Sequence, residues 1–77
     1  MAVMIAPLEP FPKDAPPVGS VWRHYKGGWY TILHVGRHSE TLEPMVSYTI
    51  AGNDVWFRPL RMWHELVDGK PRFERVR

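Results

Sequence analysis

Closely spaced turn signals restrict the fold of this sequence more than any other feature. Residues 27–28 (Gly-Gly) form one such signal, 52–54 (Gly-Asn-Asp) a second, Pro59 a third and 68–69 (Asp-Gly) a fourth. Glycine accepts the positive φ angles of tight turns, and proline ends regular elements. The segments between these signals are short and rich in β-branched and aromatic residues, which predicts strands.

One of the predicted strands is expected at the centre of the sheet. Residues 29–35 (Trp-Tyr-Thr-Ile-Leu-His-Val) are apolar on both faces, as an inner strand would be. Residues 62–67 are interpreted as a strand, with a single helical turn near Leu60 as the alternative. The other predicted strands are 21–26, 45–50, 55–58 and, at an edge, 72–76. The prediction is therefore an all-β domain over residues 20–77, a small SH3-like barrel of five or six short strands.

Residues 1–19 are predicted to form a proline-rich arm in front of this domain. Proline density excludes a helix or inner strand there and favours an extended or disordered chain. Residues 7–10 (Pro-Leu-Glu-Pro) match the P-x-x-P pattern of polyproline ligands, although a solvated arm is the simpler interpretation. The first residues lack the basic start of a signal peptide, and we expect no membrane contact.

The absence of cysteine limits the chemistry and the expected compartment. No disulfide, thiolate metal site or cysteine nucleophile is available. Small secreted domains usually depend on disulfides, so we expect a cytoplasmic location. The four histidines lack any metal-binding spacing, so we predict no metal and no cofactor. A net charge of +2 permits an anionic partner without requiring one.

The polar segment 37–43 (Arg-His-Ser-Glu-Thr-Leu-Glu) is the most distinctive stretch of the chain. It joins two predicted strands, and such loops often carry binding residues. In one hypothesis Arg37 and His38 face an anionic group while a hydroxyl donates a hydrogen bond. In the other, Glu40 or Glu43 pairs with Arg23 or Arg58 and the hydroxyls cap backbone amides. Both hypotheses stay open at this point.

Cations alternate with aromatic residues in the block 23–26 (Arg-His-Tyr-Lys). Strand alternation sends Arg23 and Tyr25 to one face, and His24 and Lys26 to the other. Such a mixture binds phosphates by charge and bases by stacking, although it also occurs on ordinary barrel surfaces.

Trp56 and Arg58 share one face of their predicted strand. If Val55 and Phe57 on the other face fill the core, Trp56 is exposed beside Arg58, an arrangement typical of binding hot spots. If the sheet is covered on both faces, Trp56 belongs to the core.

Three blocks, in this order and spacing, resemble a compact bacterial and phage family known only as domain of unknown function number 1653. They are 22–27 (Trp-Arg-His-Tyr-Lys-Gly), 37–43 (Arg-His-Ser-Glu-Thr-Leu-Glu) and 56–59 (Trp-Phe-Arg-Pro). The resemblance covers about residues 19–75. Gly36 stands where the family usually has alanine, and Trp63 where it usually has phenylalanine. The resemblance implies a domain boundary and brings no activity with it.

We therefore predict a non-catalytic module for a phosphate-bearing ligand, either a nucleotide or a single-stranded nucleic acid. The predicted ligand-binding residues are the polar and aromatic members of the three blocks: Arg23, Tyr25, Lys26, Arg37, His38, Ser39, Glu40, Trp56 and Arg58. No catalytic residue is predicted, because Ser39 directly follows His38 and adjacent side chains on an extended backbone point apart.

Three alternatives accompany this prediction. Since relatives occur in phages, the domain would sequester a nucleotide signal, as an oligomer that encloses it. A second alternative is a module that reads a peptide in a groove, as SH3-type barrels do. A third is a small hydrolase that uses His38 and Glu40. The expected assembly is a monomer or a small homo-oligomer.

Overall fold

The computed structural model describes residues 9–52 and 54–77, in which strands are the main regular element. In chain order the elements are β1 (Val21–His24), β2 (Trp29–Arg37), β3 (Pro44–Ile50), β4 (Val55–Pro59), α1 (Leu60–Trp63), β5 (Leu66–Val67), β6 (Lys70–Pro71) and β7 (Phe73–Arg75). Five strands form an antiparallel sheet in the order β4-β3-β2-β1-β7, and β5 pairs with β6. The all-β prediction is confirmed, and the arrangement is consistent with a small SH3-like barrel. No helix in the described ranges is long and apolar enough to cross a membrane.

Strand β2 lies in the middle of the five-stranded sheet, as its composition predicts. Its register against β3 shifts between Ile32 and His34, where a β-bulge interrupts the alternation. On the two sides of the bulge, Ile32 faces Tyr48 and Val35 faces Val46, so both apolar residues lie on the inner face of the sheet. Because the bulge shifts the alternation, an even-numbered residue (Ile32) and an odd-numbered residue (Val35) share the inner face. A regular alternation would place them on opposite faces, so the sequence pattern appears apolar on both.

The predicted turn at Gly27 and Gly28 is present but longer than a two-residue hairpin. Strand β1 ends at His24 and β2 begins at Trp29, so four residues make the connection. Both glycines have positive φ, 104° and 78°, and the N–H of His24 donates to the Gly28 carbonyl oxygen at 3.0 Å. The 68–69 turn joins β5 to β6 as predicted, again with two positive φ angles.

The prediction of a strand over 62–67 is wrong in its first half. Residues Leu60–Trp63 form α1, so the alternative of a helical turn near Leu60 is confirmed, and only Leu66–Val67 is a strand. Pro59 stands immediately before α1 with φ −57° and ψ 139°. Proline is tolerated at a helix start, because the first backbone N–H groups have no intrahelical partner.

Residues 9–19, the described part of the predicted arm, lie against the domain. Phe11 packs on the hydrophobic core, and the N–H of Gly19 donates to the Ile32 carbonyl oxygen at 2.8 Å. Residues 1–8, which include the first half of the P-x-x-P stretch, lie outside the described residues.

A stack of aromatic rings forms the centre of the core. Trp63 of α1 lies face to face with Phe73 of β7, with 3.8 Å between ring centroids and 6° between planes. Trp22 packs edge-on against Trp63 at 5.6 Å, and Tyr48 packs against it at 5.3 Å. Trp63 is only 1% exposed. Helix α1 therefore fills the interior of the curled sheet.

We expect Trp63→Ala to lower the free energy of unfolding by about 3–5 kcal/mol, because it removes the central ring of this stack. Trp63→Phe keeps a stacking ring and should lose less than half as much. Leu66→Ala is the control, since Leu66 is 61% exposed. Urea unfolding followed by circular dichroism measures all three. A Trp63→Ala loss as small as that of the control would contradict the central role of the stack.

Candidate functional site

The guanidinium of Arg37 is hydrogen-bonded to other residues of the chain. Its Nη1 donates to the Leu42 carbonyl oxygen at 3.2 Å, and its Nη2 donates to the Glu9 carbonyl oxygen at 2.7 Å. Its Cζ also lies 5.3 Å from the centroid of the Phe11 ring. Arg37 therefore ties residues 9–11 to the loop that follows β2.

Other polar groups of this loop also bond within the chain. The Nδ1 of His38 accepts the backbone N–H groups of Glu40 and Thr41 at 3.1 and 3.2 Å. The Thr41 hydroxyl accepts the N–H of Glu43 at 3.3 Å, and the Glu43 carboxylate pairs with Arg61 at 2.6 Å. The self-satisfied hypothesis thus describes these contacts, with Arg61 as the partner instead of an arginine of β1 or β4.

This loop lies far from the β1–β2 turn. The two connections are at opposite ends of β2, which is nine residues long. Strand residues rise about 3.3 Å each, so roughly 25 Å separates the two ends. Four of the predicted ligand-binding residues, namely Arg37, His38, Ser39 and Glu40, are therefore gathered at the end of β2 that lies away from the block 23–26. The block 56–59 runs toward this end, since Pro59 is opposite Met45 and Met45 is opposite Gly36 in the strand registers.

Strand β4 presents Trp56 and Arg58 to the inner side of the sheet. Trp56 is directly opposite the buried Tyr48 in the register with β3, so it shares the inner face with Arg58. Val55 and Phe57 lie on the outer face, 52% and 69% exposed, so the alternative in which they fill the core is wrong. Trp56 itself is 51% exposed, and it is not a core residue either.

Four basic side chains come together between the β1–β2 turn and the two edge strands, β4 and β7. We name them the cationic cluster: His24, Lys26, Arg58 and Arg72. The Phe73 ring of β7 lies among them, with the His24 ring centroid at 5.1 Å and the Arg58 Cζ at 5.4 Å. Because Arg58 belongs to β4, the curl of the sheet brings its two edges within reach of each other.

The pKa of His24 reports the positive potential of the cationic cluster. Burial lowers this pKa, and the charges of Arg72, Arg58 and Lys26 lower it further. The Nδ1 of His24 also accepts the backbone N–H of Lys26 at 3.1 Å. An accepting Nδ1 carries no proton, so the neutral ring keeps its proton on Nε2.

The positive charge of the cationic cluster is only partly compensated. Arg72 donates through Nη2 to the Glu65 carboxylate at 2.7 Å. Within residues 9–52 and 54–77, neither Lys26 nor Arg58 takes part in an ion pair. The Nε atoms of Arg58 and Arg72 are buried and have no hydrogen-bond partner among the described residues. Polar atoms of this kind are uncommon in folded proteins.

A row of aromatic rings leads across the sheet to the cationic cluster. Tyr48 stacks on Tyr30 with 5.2 Å between centroids and 12° between planes, and Tyr30 stacks on His24 at 5.8 Å. The half-exposed Trp56 lies beside Tyr48 in the register. Tyr25, 46% exposed, has its ring 4.6 Å from that of His24. Exposed rings therefore flank the cationic cluster.

Two surface grooves lie elsewhere on the domain. One, of ≈ 380 Å³, is on the outer face of the sheet beside Phe57; Arg37 reaches it, but its guanidinium is bonded to backbone carbonyls. The other, of ≈ 400 Å³, lies where the arm meets α1, and its Arg61 is paired with Glu43. Across the described ranges, no three histidine or acidic side chains converge as metal ligands would.

The sequence prediction did not include His24 and Arg72 among the ligand-binding residues. His24 lies in the block 23–26 together with three of the predicted residues. These neighbours in sequence are the signal that could have indicated it as a site residue. Arg72 lies outside the three distinctive blocks, and only the pairing of β7 with β1 brings it near His24. Among the predicted residues, Tyr25, Lys26, Trp56 and Arg58 are brought to this region, whereas Arg23 lies on the outer face beside Trp29.

The fold and this region define a small antiparallel β-domain with a cluster of basic and aromatic residues between its edge strands. Residues 20–75 match the family described as protein of unknown function (DUF1653). The chain belongs to this family, and the resemblance inferred from its three blocks is confirmed.

A crystal structure of a protein belonging to DUF1653 from Bordetella bronchiseptica is similar to this chain. The sequences are 42% identical, and the TM-score is 0.71. The match covers 83% of this chain and 90% of that chain. A comparison with curated proteins finds no match.

We expect Arg37→Gln to lower the free energy of unfolding by about 1–2 kcal/mol, because it removes two charge-assisted bonds to backbone carbonyls. The same variant should leave affinity for phosphate compounds unchanged, since the Arg37 guanidinium is bonded to backbone carbonyls and is not a member of the cationic cluster. Urea unfolding and calorimetric titration measure the two effects. A loss of affinity without a loss of stability would instead return Arg37 to the ligand site.

We expect the domain to lose stability as the pH falls through about 6.5, the ordinary pKa of histidine. The pKa of His24 is lowered in the fold, so the unfolded chain binds more protons in this range and stability falls with pH. His24→Asn should flatten this dependence relative to the wild type, because the other histidines are unchanged. Urea unfolding at pH 7.5 and 5.5 tests it; equal pH dependence in both proteins would contradict the assignment.

Proposed function

We propose that this domain binds a phosphate-bearing ligand, a nucleotide or a single-stranded nucleic acid, at the cationic cluster and without catalysing a reaction. The observation that carries the proposal is the convergence of four basic side chains, His24, Lys26, Arg58 and Arg72. Among the described residues, Glu65 is the one ion-pair partner that these side chains have. Like charges held together in this way repel each other, and an anion between them relieves that repulsion.

Each member of the cationic cluster has a chemical role in the proposed complex. The guanidinium groups of Arg58 and Arg72 match phosphate oxygens in a planar, two-pronged geometry, and Lys26 adds a mobile point charge. The neutral His24 ring offers its Nε2–H as a further donor, since its Nδ1 is occupied by the N–H of Lys26. The ligand is thus held by charge and directed hydrogen bonds.

Exposed aromatic rings near the cationic cluster would stack on the base of the ligand. Trp56 shares the inner face of β4 with Arg58, and Tyr25 lies against His24. A ring stacked on a base contributes about 1–3 kcal/mol, and stacking accepts any base. The choice of ligand would then depend mainly on its phosphate groups and on the presence of a base that can stack.

The hydrolase alternative gains little support from the contacts around His38. A general base needs a free ring nitrogen directed at a nucleophile. The Nδ1 of His38 already accepts the N–H groups of Glu40 and Thr41. Its arrangement is that of a loop cap.

The peptide-binding alternative has one observation in its favour. The outer face of β4 carries the 69% exposed Phe57 beside an open groove, and β4 is an edge strand. Edge strands accept an added peptide strand, and apolar grooves accept its side chains. Salt separates the two functions: nucleic-acid affinity should fall steeply between about 50 and 200 mM salt, whereas affinity for an apolar peptide should change little.

We expect Arg58→Met and Lys26→Met each to weaken binding of thymidine monophosphate or ATP by roughly tenfold, about 1.4 kcal/mol, because each removes one charge facing the phosphate. Arg61→Met is the matched control, since its charge lies in another groove and is paired with Glu43. Calorimetric titration measures the affinities, with cyclic and ADP-ribose-type nucleotides included for the sequestration alternative.

An independent readout accompanies these titrations. A bound phosphate should raise the pKa of His24 from its lowered value, because the anion offsets the charges of Arg72, Arg58 and Lys26. The ring resonances of His24 follow this change by NMR. The proposal fails if no phosphate compound binds, or if the Arg61 variant loses as much affinity as the Arg58 variant.

A further inference from the structure

We infer that the ligand is a single-stranded nucleic acid that runs from the cationic cluster around the β1–β2 turn to Trp29 on the outer face of the sheet. This inference rests on the proposed function and specifies its ligand class. It starts from basic and aromatic side chains that the cationic cluster does not include.

Trp29 is the first of these side chains. In the register of β1 with β2, Trp29 is opposite Arg23, one step along from the inner-face pair of Trp22 and Tyr30. Neighbouring pairs point to opposite faces, so Trp29 and Arg23 lie on the outer face. Trp29 is 52% exposed. A large indole is thus available on the side of the sheet opposite the cationic cluster.

The β1–β2 turn connects the two faces. Tyr25 and Lys26 follow His24 directly, and the Lys26 Nζ lies 5.7 Å from the centroid of the Tyr25 ring. Tyr25 is 46% exposed. A strand of nucleic acid that runs from β4 around the β1–β2 turn would meet a ring and a cation three times. The pairs are Trp56 and Arg58 on β4, Tyr25 and Lys26 at the turn, and Trp29 and Arg23 on the outer face.

The repetition of this pattern favours a polymer over a single nucleotide. A mononucleotide has one base and occupies one stacking position, whereas exposed rings occur here on β4, at the β1–β2 turn and at the start of β2. A nucleic-acid strand repeats base and phosphate, and small β-barrels bind about 4–16 nucleotides of it. On the outer face, Glu74 of β7 is opposite Arg23 in the register, and its carboxylate offsets the charge of Arg23. We therefore assign stacking, more than phosphate pairing, to Trp29.

The test compares thymidine monophosphate with oligothymidylates of three and twelve nucleotides, using the full chain and fluorescence anisotropy or competition. Affinities are expressed per nucleotide, so that multiple registers on a long strand do not count as tighter binding. We expect the twelve-nucleotide strand to bind at least about tenfold tighter than the monophosphate. Trp29→Ala should lower affinity for the long strand by about fivefold or more, the lower end of one stacked base.

Three further variants make the test specific. Trp29→Phe keeps a stacking ring and should retain most of the affinity for the long strand. Glu74→Gln should raise that affinity, because it removes the carboxylate beside Arg23. Phe57→Ala, on the outer face of β4, should have no effect. Thermal unfolding confirms that each variant is folded, and thymidine monophosphate should bind all of them equally.

The outcomes separate this inference from the proposed function. If the monophosphate binds but the long strand binds no tighter per nucleotide, the inference is overturned and the proposed function stands. The inference is also overturned if Trp29→Ala weakens the monophosphate and the long strand equally, or neither. If no phosphate compound binds at all, both fail together.

Discussion

The face-to-face contact between Trp63 and Phe73 joins the interior of this domain to its candidate site. The Trp63 indole of α1 stacks on the Phe73 ring with 3.8 Å between centroids. The His24 ring and the Arg58 guanidinium also lie against Phe73. Strand β7 is short, three residues at the edge of the sheet, so side-chain packing as well as its ladder with β1 must hold it. Because Arg58 comes from the opposite edge strand, the stack also fixes how closely the two edges approach. The geometry of the cationic cluster therefore depends on the packing of the core.

The cationic cluster itself opposes folding. Its charges repel, and burial and neighbouring cations lower the pKa of His24. The buried Nε atoms of Arg58 and Arg72 also have no acceptor in the part of the chain that the structure describes. The contact of Arg58 with the Phe73 ring and the Arg72–Glu65 pair offset only part of this cost. A chain of 77 residues has a small stability margin, so an arrangement with this cost is easier to understand if it serves binding than if it serves the fold.

The strands and turns of this fold could be predicted because their signals are local. Alternation, β-branched residues and turn glycines act over a few residues, and they placed the central strand and the 68–69 hairpin correctly. The helical turn α1 was missed in favour of a strand, since four residues are too few to display a helical period. The bulge near Ile32 could not be inferred either, because an apolar run does not reveal where its register shifts. For the site, Lys26 and Arg58 were named from their neighbours in sequence, whereas Arg72 required the long-range pairing of β7 with β1.

The most distinctive string of the sequence lies at the end of β2 opposite the turn that carries Lys26. Segment 37–43 contains a guanidinium, an imidazole, hydroxyls and carboxylates. Arg37, however, is bonded to the carbonyls of Leu42 and Glu9, and the Nδ1 of His38 caps its own loop. A network that must satisfy so many groups at once tolerates few substitutions, so a structural role is enough to make a string distinctive. A ligand, in contrast, is attracted by charge that the protein leaves unpaired. Within residues 9–52 and 54–77, Lys26 and Arg58 take part in no ion pair, so by that physical criterion they are better candidates for a site than the motif is.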